Sequence, residues 1–499
     1  MGTIATLKEK MAEVVDLQAA SNVLNWDQQT YMPRGGAAAR AEQLATLDKV
    51  AHEKAIAPEV GQLLEALTEE MAGSDPDSDD VRLVRMAKRA YDKQVKIPSD
   101  LVARISRATI MANEKWMEAR TQSDFALFAP ALSDVLALNL EVAEHLGYEE
   151  SPYDALLDNF EPEMKLSQVQ PILAELREGL VPIVARIAAS PTKVDKSFLE
   201  VEYNLAQQEA MTLELLKGIG YDFNAGRQDK VAHPFTTTFS IHDVRVTNRF
   251  LPKMPTAAIF GAIHEGGHAL YNQGVAAKYE RTVLGHPISS ALHESQSRLF
   301  ENVVGRSREF WQYWFPRYQT AFPEQLGKVS PESFWRAVNF VAPSPIRVEA
   351  DEVTYNLHII LRFELEVGLV EGAVKVEDLP VLWNERMRHY LGFTPKNDAE
   401  GVLQDVHWSW GYFGYFPTYS LGNLLAVQFY EKALEAIPDL PQQYARGEFG
   451  GLLAWLREHI HQHGGKYLPT ELVQRITGGR IDPQPFLRYL DHKYRQIYR

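Results

Sequence analysis

The stretch Ile259-Phe-Gly-Ala-Ile-His264-Glu265-Gly266-Gly267-His268-Ala-Leu-Tyr271 reads as a helix with a job. On a helix, residues four apart lie one turn above each other, so His264 and His268 aim two imidazoles at one metal ion. Glu265, about 100° around the helix from His264, can reach a water that the metal activates without taking a coordination position. Gly266 and Gly267 each cost roughly 1 kcal/mol relative to alanine in a helix interior. Such a cost is expected where something approaches closely, and the missing side chain of Gly267 is read as space beside the metal.

Zinc in a hydrolase takes three protein ligands and keeps the fourth position for water, so a third ligand must follow. Zero cysteines limit the choice to His, Asp or Glu. Beyond Gly274, which closes the helix, a loop around Gly285 lets the chain return, and His293-Glu294-Ser-Gln-Ser-Arg-Leu-Phe-Glu301 comes next. Glu294 is taken as the ligand; His293 and Glu301 remain candidates for supporting it. Further on, His407 and Tyr419 are candidate donors to a tetrahedral oxyanion. Tyr419 ends a loop rich in Gly and aromatics, from Trp410, that could swing it into place. The run Glu458-His459-Ile-His461-Gln-His463 also places two histidines, His459 and His463, one turn apart, but it lacks a third ligand, and its histidines are read as cations at a helix C-terminus.

Away from these motifs, apolar residues recur at helical spacing up to about Gly220, with one helix over 40–52 and another over 83–95. The acidic run from Gly73 between them is a loop whose closing Asp residues suit a helix start. Ser99, Ser123 and Ser167 are candidate N-caps, and Trp26 and Trp116 core anchors. The pattern changes once: His233-Pro-Phe-Thr-Thr-Thr-Phe-Ser-Ile-His-Asp243-Val-Arg245-Val-Thr247 carries period-two stretches, read as a small antiparallel sheet next to the His-Glu helix. An exposed edge strand there could hold an extended peptide. Helices then dominate to the C-terminus. No linker divides the chain, so residues 1–499 are read as one mainly α domain, with two helical lobes around one groove as a variant of the same reading.

The net charge of −15 leaves no basic stripe for nucleic acid, and no apolar run offers a membrane span. The N-terminus, amphipathic from Met1 and lacking an apolar block behind a basic start, makes a cytoplasmic protein the expectation.

The chain resembles the carboxypeptidase Taq family of metallocarboxypeptidases. Six motifs carry the resemblance in order: His233-Pro-Phe, Asp243-Val-Arg245-Val-Thr247, His264-Glu-Gly-Gly-His268, His293-Glu294-Ser-Gln296, Ile346-Arg347-Val-Glu-Ala350-Asp351 and Gly401-Val-Leu-Gln404-Asp405-Val-His407-Trp408. The resemblance implies one ion per chain, zinc or cobalt, held by His264, His268 and Glu294, with Glu265 catalytic. It implies stepwise release of single C-terminal residues of many kinds from peptides with a free carboxylate, a homodimer, and a large helical body with a deep groove, similar to neurolysin and angiotensin-converting enzyme. Within the motifs, Arg245 and Arg347 are the candidate partners of the terminal carboxylate, because a guanidinium donates two parallel hydrogen bonds. Each could instead be tied up by Asp243, Glu349 or Asp351. His233 and Gln404 are expected at the groove wall as substrate contacts. An oligopeptidase or endopeptidase sharing the metal machinery, and a metal-stabilised peptide-binding protein without turnover, are the competing readings. The last has no use for Glu265.

Overall fold

The computed structural model describes residues 3–499; Met1 and Gly2, which open the amphipathic helix expected at the N-terminus, lie outside them. The rest of that helix forms as Ile4–Thr30, its first turn capped by the Thr3 hydroxyl, which accepts the N–H of Thr6. The helices read over 40–52 and 83–95 sit within Ala37–Ala55 and Asp79–Lys96. The second has Ser78 as N-cap and Asp79 and Asp80 in its first turn, where the positive end of the helix dipole favours them.

The three predicted caps fare less well. Ser99 is the first helical residue behind the extended Pro98. Ser123 closes that helix rather than opening the next, with a left-handed φ of 55°, and Asp124 caps the following turn. Helix Leu166–Ala189 starts behind Lys165, so Ser167 already lies inside it. No helix among the described residues is long and apolar enough to cross a membrane.

The sheet is three-stranded, in the order β1-β3-β2, from β1 (Gln228–Lys230), β2 (Thr236–Ser240) and β3 (Asp243–Asn248). It is mixed, not antiparallel throughout. β2 and β3 form the expected antiparallel pair across a tight turn, but the link at 231–235 carries the chain past β3, so β1 pairs with β3 in parallel.

Strand parity decides what this sheet shows to its neighbours. Thr236 and Thr238 face the helix Pro255–Gly274: Thr236 reaches Glu265, and Asn272 donates to the Thr238 hydroxyl at 2.7 Å. Thr237 and Phe239, with Arg245 opposite Thr237, alternate with them. Arg245 meets Trp26 of the N-terminal helix on that other face.

The helix Pro255–Gly274, hereafter the His-Glu helix, is apolar nearly all round because it is covered nearly all round. The sheet covers one side, helix Leu205–Ile219 meets Gly266, and Ser290–Arg298, the Glu294 helix, meets Gly267. Helix Phe416–Ala436 lies on the far side of the Glu294 helix, with Gly422 against Glu294 itself.

Candidate active site

His264, His268 and Glu294 converge, their possible ligand atoms all within 4.8 Å of one another. Glu294 Oε2 lies 3.7 Å from His264 Nε2 and 3.3 Å from His268 Nε2. The helical period delivers the two imidazoles side by side, and two glycines deliver the carboxylate. A Cβ on Gly267 would sit 2.6 Å from both Gln296 O and Ser297 Cα, and one on Gly422 would sit 2.7 Å from Glu294 Cγ. The Glu294 helix is therefore held between two backbones with no side chain in the way. The space at Gly267 belongs to that helix and not to the metal's surroundings, which corrects the reading made from the sequence.

The donor set fits a divalent ion. His264 Nδ1 lies 2.9 Å from Glu301 Oε2, and a carboxylate there fixes the proton on Nδ1 and leaves the Nε2 lone pair toward Glu294. His268 has no such carboxylate; its buried Nδ1 has no hydrogen-bond partner, and its ring is oriented by stacking on His293, 4.3 Å between centroids at 12°. His293 is fixed in turn by Asn272 Oδ1 at 3.1 Å. Burial works to raise the pKa of Glu294, but Arg298 and the two imidazoles outweigh it and hold the carboxyl well below its usual range. An ionised carboxylate with two imidazoles suits several divalent ions, and no thiolate is present to select among them.

Arg298 Nε donates to Glu294 Oε1 at 2.6 Å, and Nη1 to Glu301 Oε2 at 3.2 Å. Glu301 itself lies in a π-helical turn, Leu299–Val304, that continues the Glu294 helix. Glu265, 7% exposed, takes a 2.6 Å hydrogen bond from the Thr236 hydroxyl on its Oε2. The sheet thus aims the residue proposed as base.

A second wall stands beside this one. The Arg298 guanidinium lies 4.4 Å over the ring of Tyr355, whose hydroxyl accepts from Arg347 Nη1 at 3.1 Å. Arg347 is buried, 5.1 Å beneath the ring of Tyr419. Its Nε donates to Asp405 Oδ1 at 2.9 Å, while Arg362, wholly buried, donates to Asp405 Oδ2 at 2.6 Å. Two guanidiniums share one carboxylate, so this cluster keeps a positive charge in surplus. The partner of Arg347 is Asp405; Glu349 is exposed and Asp351 accepts from Val353, Thr354 and Ala342 instead.

His407 Nε2 stands 3.4 Å from the Tyr419 hydroxyl. Burial, with the charges of Arg347 and Arg362 adding to it, pushes the His407 pKa down to about 3, so the ring is neutral at neutral pH. Burial raises Tyr419 well above the usual phenol value and keeps its proton on. Tyr419 is not on a swinging loop. It lies in the first turn of helix Phe416–Ala436, announced in the sequence by Pro417, and the preceding loop is pinned where the Gly414 N–H donates to Glu366.

Three sequence-derived contacts stand apart from this centre. Arg245 forms a two-pronged ion pair with Asp243, 2.8 Å on each prong, between Trp26 and Phe239 on the sheet face opposite Glu265. Gln404 has its amide spent on backbone: Oε1 accepts from Arg347 N–H at 2.8 Å, and Nε2 donates to Pro345 and Glu400 carbonyls at 2.9 and 2.8 Å. It holds the Arg347 segment, with both of its amide N–H donors committed to backbone carbonyls. His233 is exposed in the link before β2.

His461 is no helix-end cation either. It is fully buried, stacked 5.0 Å from Tyr271, and its Nε2 meets Gln296 Oε1 at 2.8 Å, bracing the Glu294 helix from below. Thr236, Tyr355, Arg298 and Arg362 were not singled out from the sequence. Arg298 alone had a signal there, four residues past Glu294 on one helix face.

Two imidazoles and a carboxylate, with a glutamate beside them in a buried, mainly helical setting, define a metal-dependent peptide hydrolase of the HExxH kind. The chain belongs to the carboxypeptidase Taq (M32) metallopeptidase family, whose model matches residues 6–494. It is a metallocarboxypeptidase by that membership. It is similar to thermostable carboxypeptidase 1 of Thermus thermophilus, 44% identical over 99% of this chain and 98% of the relative. Carboxypeptidase 1 of Bacillus subtilis is 40% identical over 95% of each. Among solved structures, the M32 carboxypeptidase from Deinococcus radiodurans superposes with a TM-score of 0.96 at 40% identity, covering 99% of both chains.

Proposed function

We propose that the protein removes single amino acids of many kinds from the free C-terminus of peptides, using one zinc or cobalt ion held by His264, His268 and Glu294. When bound, the ion supplies Lewis acidity, polarising the scissile carbonyl and making water a nucleophile near neutral pH. Glu265, steadied by Thr236, takes the proton of the attacking water and passes it to the leaving amine. Tyr419, a neutral phenol, and His407, a neutral imidazole, stand as donors to the developing oxyanion.

The observation that carries the choice of exopeptidase is the buried pair of guanidiniums sharing Asp405. Their surplus positive charge, under Tyr355 and Tyr419, favours a substrate carboxylate at that wall over an uncharged chain continuing past it. Arg347 is accordingly the proposed carboxylate partner. Arg245, engaged by Asp243 on the other face of the sheet, is proposed to tie the N-terminal helix to the sheet instead. β2 is an edge strand of the sheet, which supports an extended peptide lying along it, with His233 at its entrance.

A peptide amide and its free acid distinguish the readings: the acid is shortened stepwise, the amide is spared, and chelator stops the reaction. Equal cutting of both would give the endopeptidase reading. Glu265→Gln is expected to keep its metal and lose nearly all activity. We further propose a cytoplasmic homodimer. The outer face of helix Ser99–Gln122, with Val102, Ile110, Met111 and Met117 exposed, supports a partner surface. A monomer of 56.5 kDa in sedimentation would count against the dimer.

A further inference from the structure

Glu366 does not touch the proposed reaction centre, yet its carboxylate is wholly buried and takes three hydrogen bonds. The Gly414 N–H donates to Oε1 at 2.6 Å, the Tyr153 hydroxyl to Oε1 at 2.8 Å and the Trp408 indole N–H to Oε2 at 2.8 Å. All three partners are donors, an arrangement that the two oxygens of a carboxyl group satisfy and a carboxamide cannot. Two of them bracket one loop: Trp408 directly follows His407, and Gly414 directly precedes Tyr415, one helical turn before Tyr419. The loop has little room elsewhere, since a Cβ on Gly414 would lie 2.7 Å from the backbone of Leu156 and Leu157.

Glu366 lies on helix Tyr355–Val370, four residues after Arg362, so the two project from one face. Arg362 grips Asp405, at the start of the same segment. We infer that Arg362 and Glu366 form a two-point mount that sets the spacing of His407 and Tyr419, making Glu366 a positioning residue for the oxyanion donors. This rests on the role proposed for His407 and Tyr419. Arg362 fixes the segment at residue 405, where Arg347 is also attached; Glu366 fixes it at 408 and 414. The first contact therefore bears on carboxylate binding as well, and the second bears on the oxyanion donors alone.

The test is the release of the C-terminal amino acid from a free-acid peptide by the zinc-loaded wild type, Glu366→Gln and Tyr153→Phe, with metal content and thermal unfolding measured alongside. Glu366→Gln turns an amide N–H₂ toward one of three donors. It should lower kcat at least tenfold with KM within about twofold, because the donors act on the transition state and not on substrate binding. Tyr153→Phe removes one donor, leaves both loop contacts, and should lose less than threefold in kcat. It also keeps the inference testable if Glu366→Gln fails to fold: a tenfold or larger loss in Tyr153→Phe would overturn it, since the loop contacts remain. A folded, metal-loaded Glu366→Gln with wild-type kcat, or one whose loss lies wholly in KM, would also overturn it. Failure of the wild type to release the terminal residue would overturn the proposed function instead.

Discussion

Gly422→Ala puts a single methyl group against Glu294, the third proposed metal ligand. Its Cβ would lie 2.7 Å from Glu294 Cγ, 2.8 Å from Glu294 Cβ and 3.2 Å from Ala291 O. Carbon atoms rest at about 3.5–4.0 Å, so the Glu294 helix and helix Phe416–Ala436 must part by about 1 Å. Overpacking of this kind costs about 1–3 kcal/mol, and replacing a helical glycine returns about 1 kcal/mol, leaving a net loss of about 0–2 kcal/mol. The protein stays folded, but its ligand does not stay put. Gly267 blocks retreat on the other side, because its own contacts with the Glu294 helix are to backbone. Metal sites tolerate about 0.2 Å in ligand position, and a reacting group misplaced by about 1 Å costs about 100-fold. Metal affinity, titrated against a competing chelator, should fall about 10–100-fold, and kcat/KM at saturating metal by a similar factor. Gly266→Ala is the control: its Cβ meets only the ends of Leu216 and Ile219, at 2.8 and 2.9 Å, which can turn aside. A folded Gly422→Ala protein with wild-type metal affinity and kcat/KM would refute the claim that this glycine positions Glu294.

Glu301→Gln keeps a hydrogen-bond partner for His264 Nδ1 but removes its charge, so metal affinity should drop about 10–100-fold in the same titration, with the fold intact. Asp405→Asn leaves two buried guanidiniums without a counter-charge; urea unfolding should show a loss of about 3–5 kcal/mol, and a loss under about 1 kcal/mol would mean that the arginines find other partners. Burial, and then the charge of Arg457, push His461 down to about 3. The unfolded chain, with an ordinary value of about 6.5, then binds more protons than the folded one at acid pH. Stability from this group is complete above about pH 6.5 and is lost as pH falls toward 3, by up to about 1.4 kcal/mol per pH unit. Unfolding midpoints of His461→Gln should therefore be less sensitive than those of the wild type between about pH 7.5 and about pH 5; equal slopes would show that His461 does not titrate in this way.

The convergence of His264, His268 and Glu294, the proposed metal centre, is legible because its logic is local. His264, Glu265 and His268 follow from the period of one helix, and the need for a third ligand leads to Glu294 thirty residues on. The helical character of the chain was legible for the same reason. Arg245 shows where that reach ends. Alternation along β3 tells that Arg245 and Val246 point apart, but not which of them faces the His-Glu helix; the register with β2 decides, and it puts Thr236 and Thr238 there. The direction of β1 depends on a crossover that has no pattern in the residues. Glu366 is the extreme case: one of its three donors, Tyr153, lies 213 residues away along the chain. A glutamate in an apolar helix announces burial, and nothing in its neighbourhood names its partners. At Gly267 the missing side chain marks a close approach without saying by what, and it is the Glu294 helix, not the metal's surroundings, that comes close.

The placing of Glu294 between Gly267 and Gly422 also sets an order of events while the chain is being made. All three proposed ligands leave the ribosome within thirty residues of one another, but the wall that fixes the third follows roughly 130 residues later, about 6–26 s at ordinary rates of synthesis. During that interval the nascent chain carries the imidazoles and the carboxylate without the helix that presses the carboxylate into position. A growing chain stalled short of Gly422 should capture metal weakly, and the full chain should capture it only once Phe416–Ala436 has docked. Loading is then a late step of synthesis, and a nascent chain holding its ligands early is not yet an enzyme.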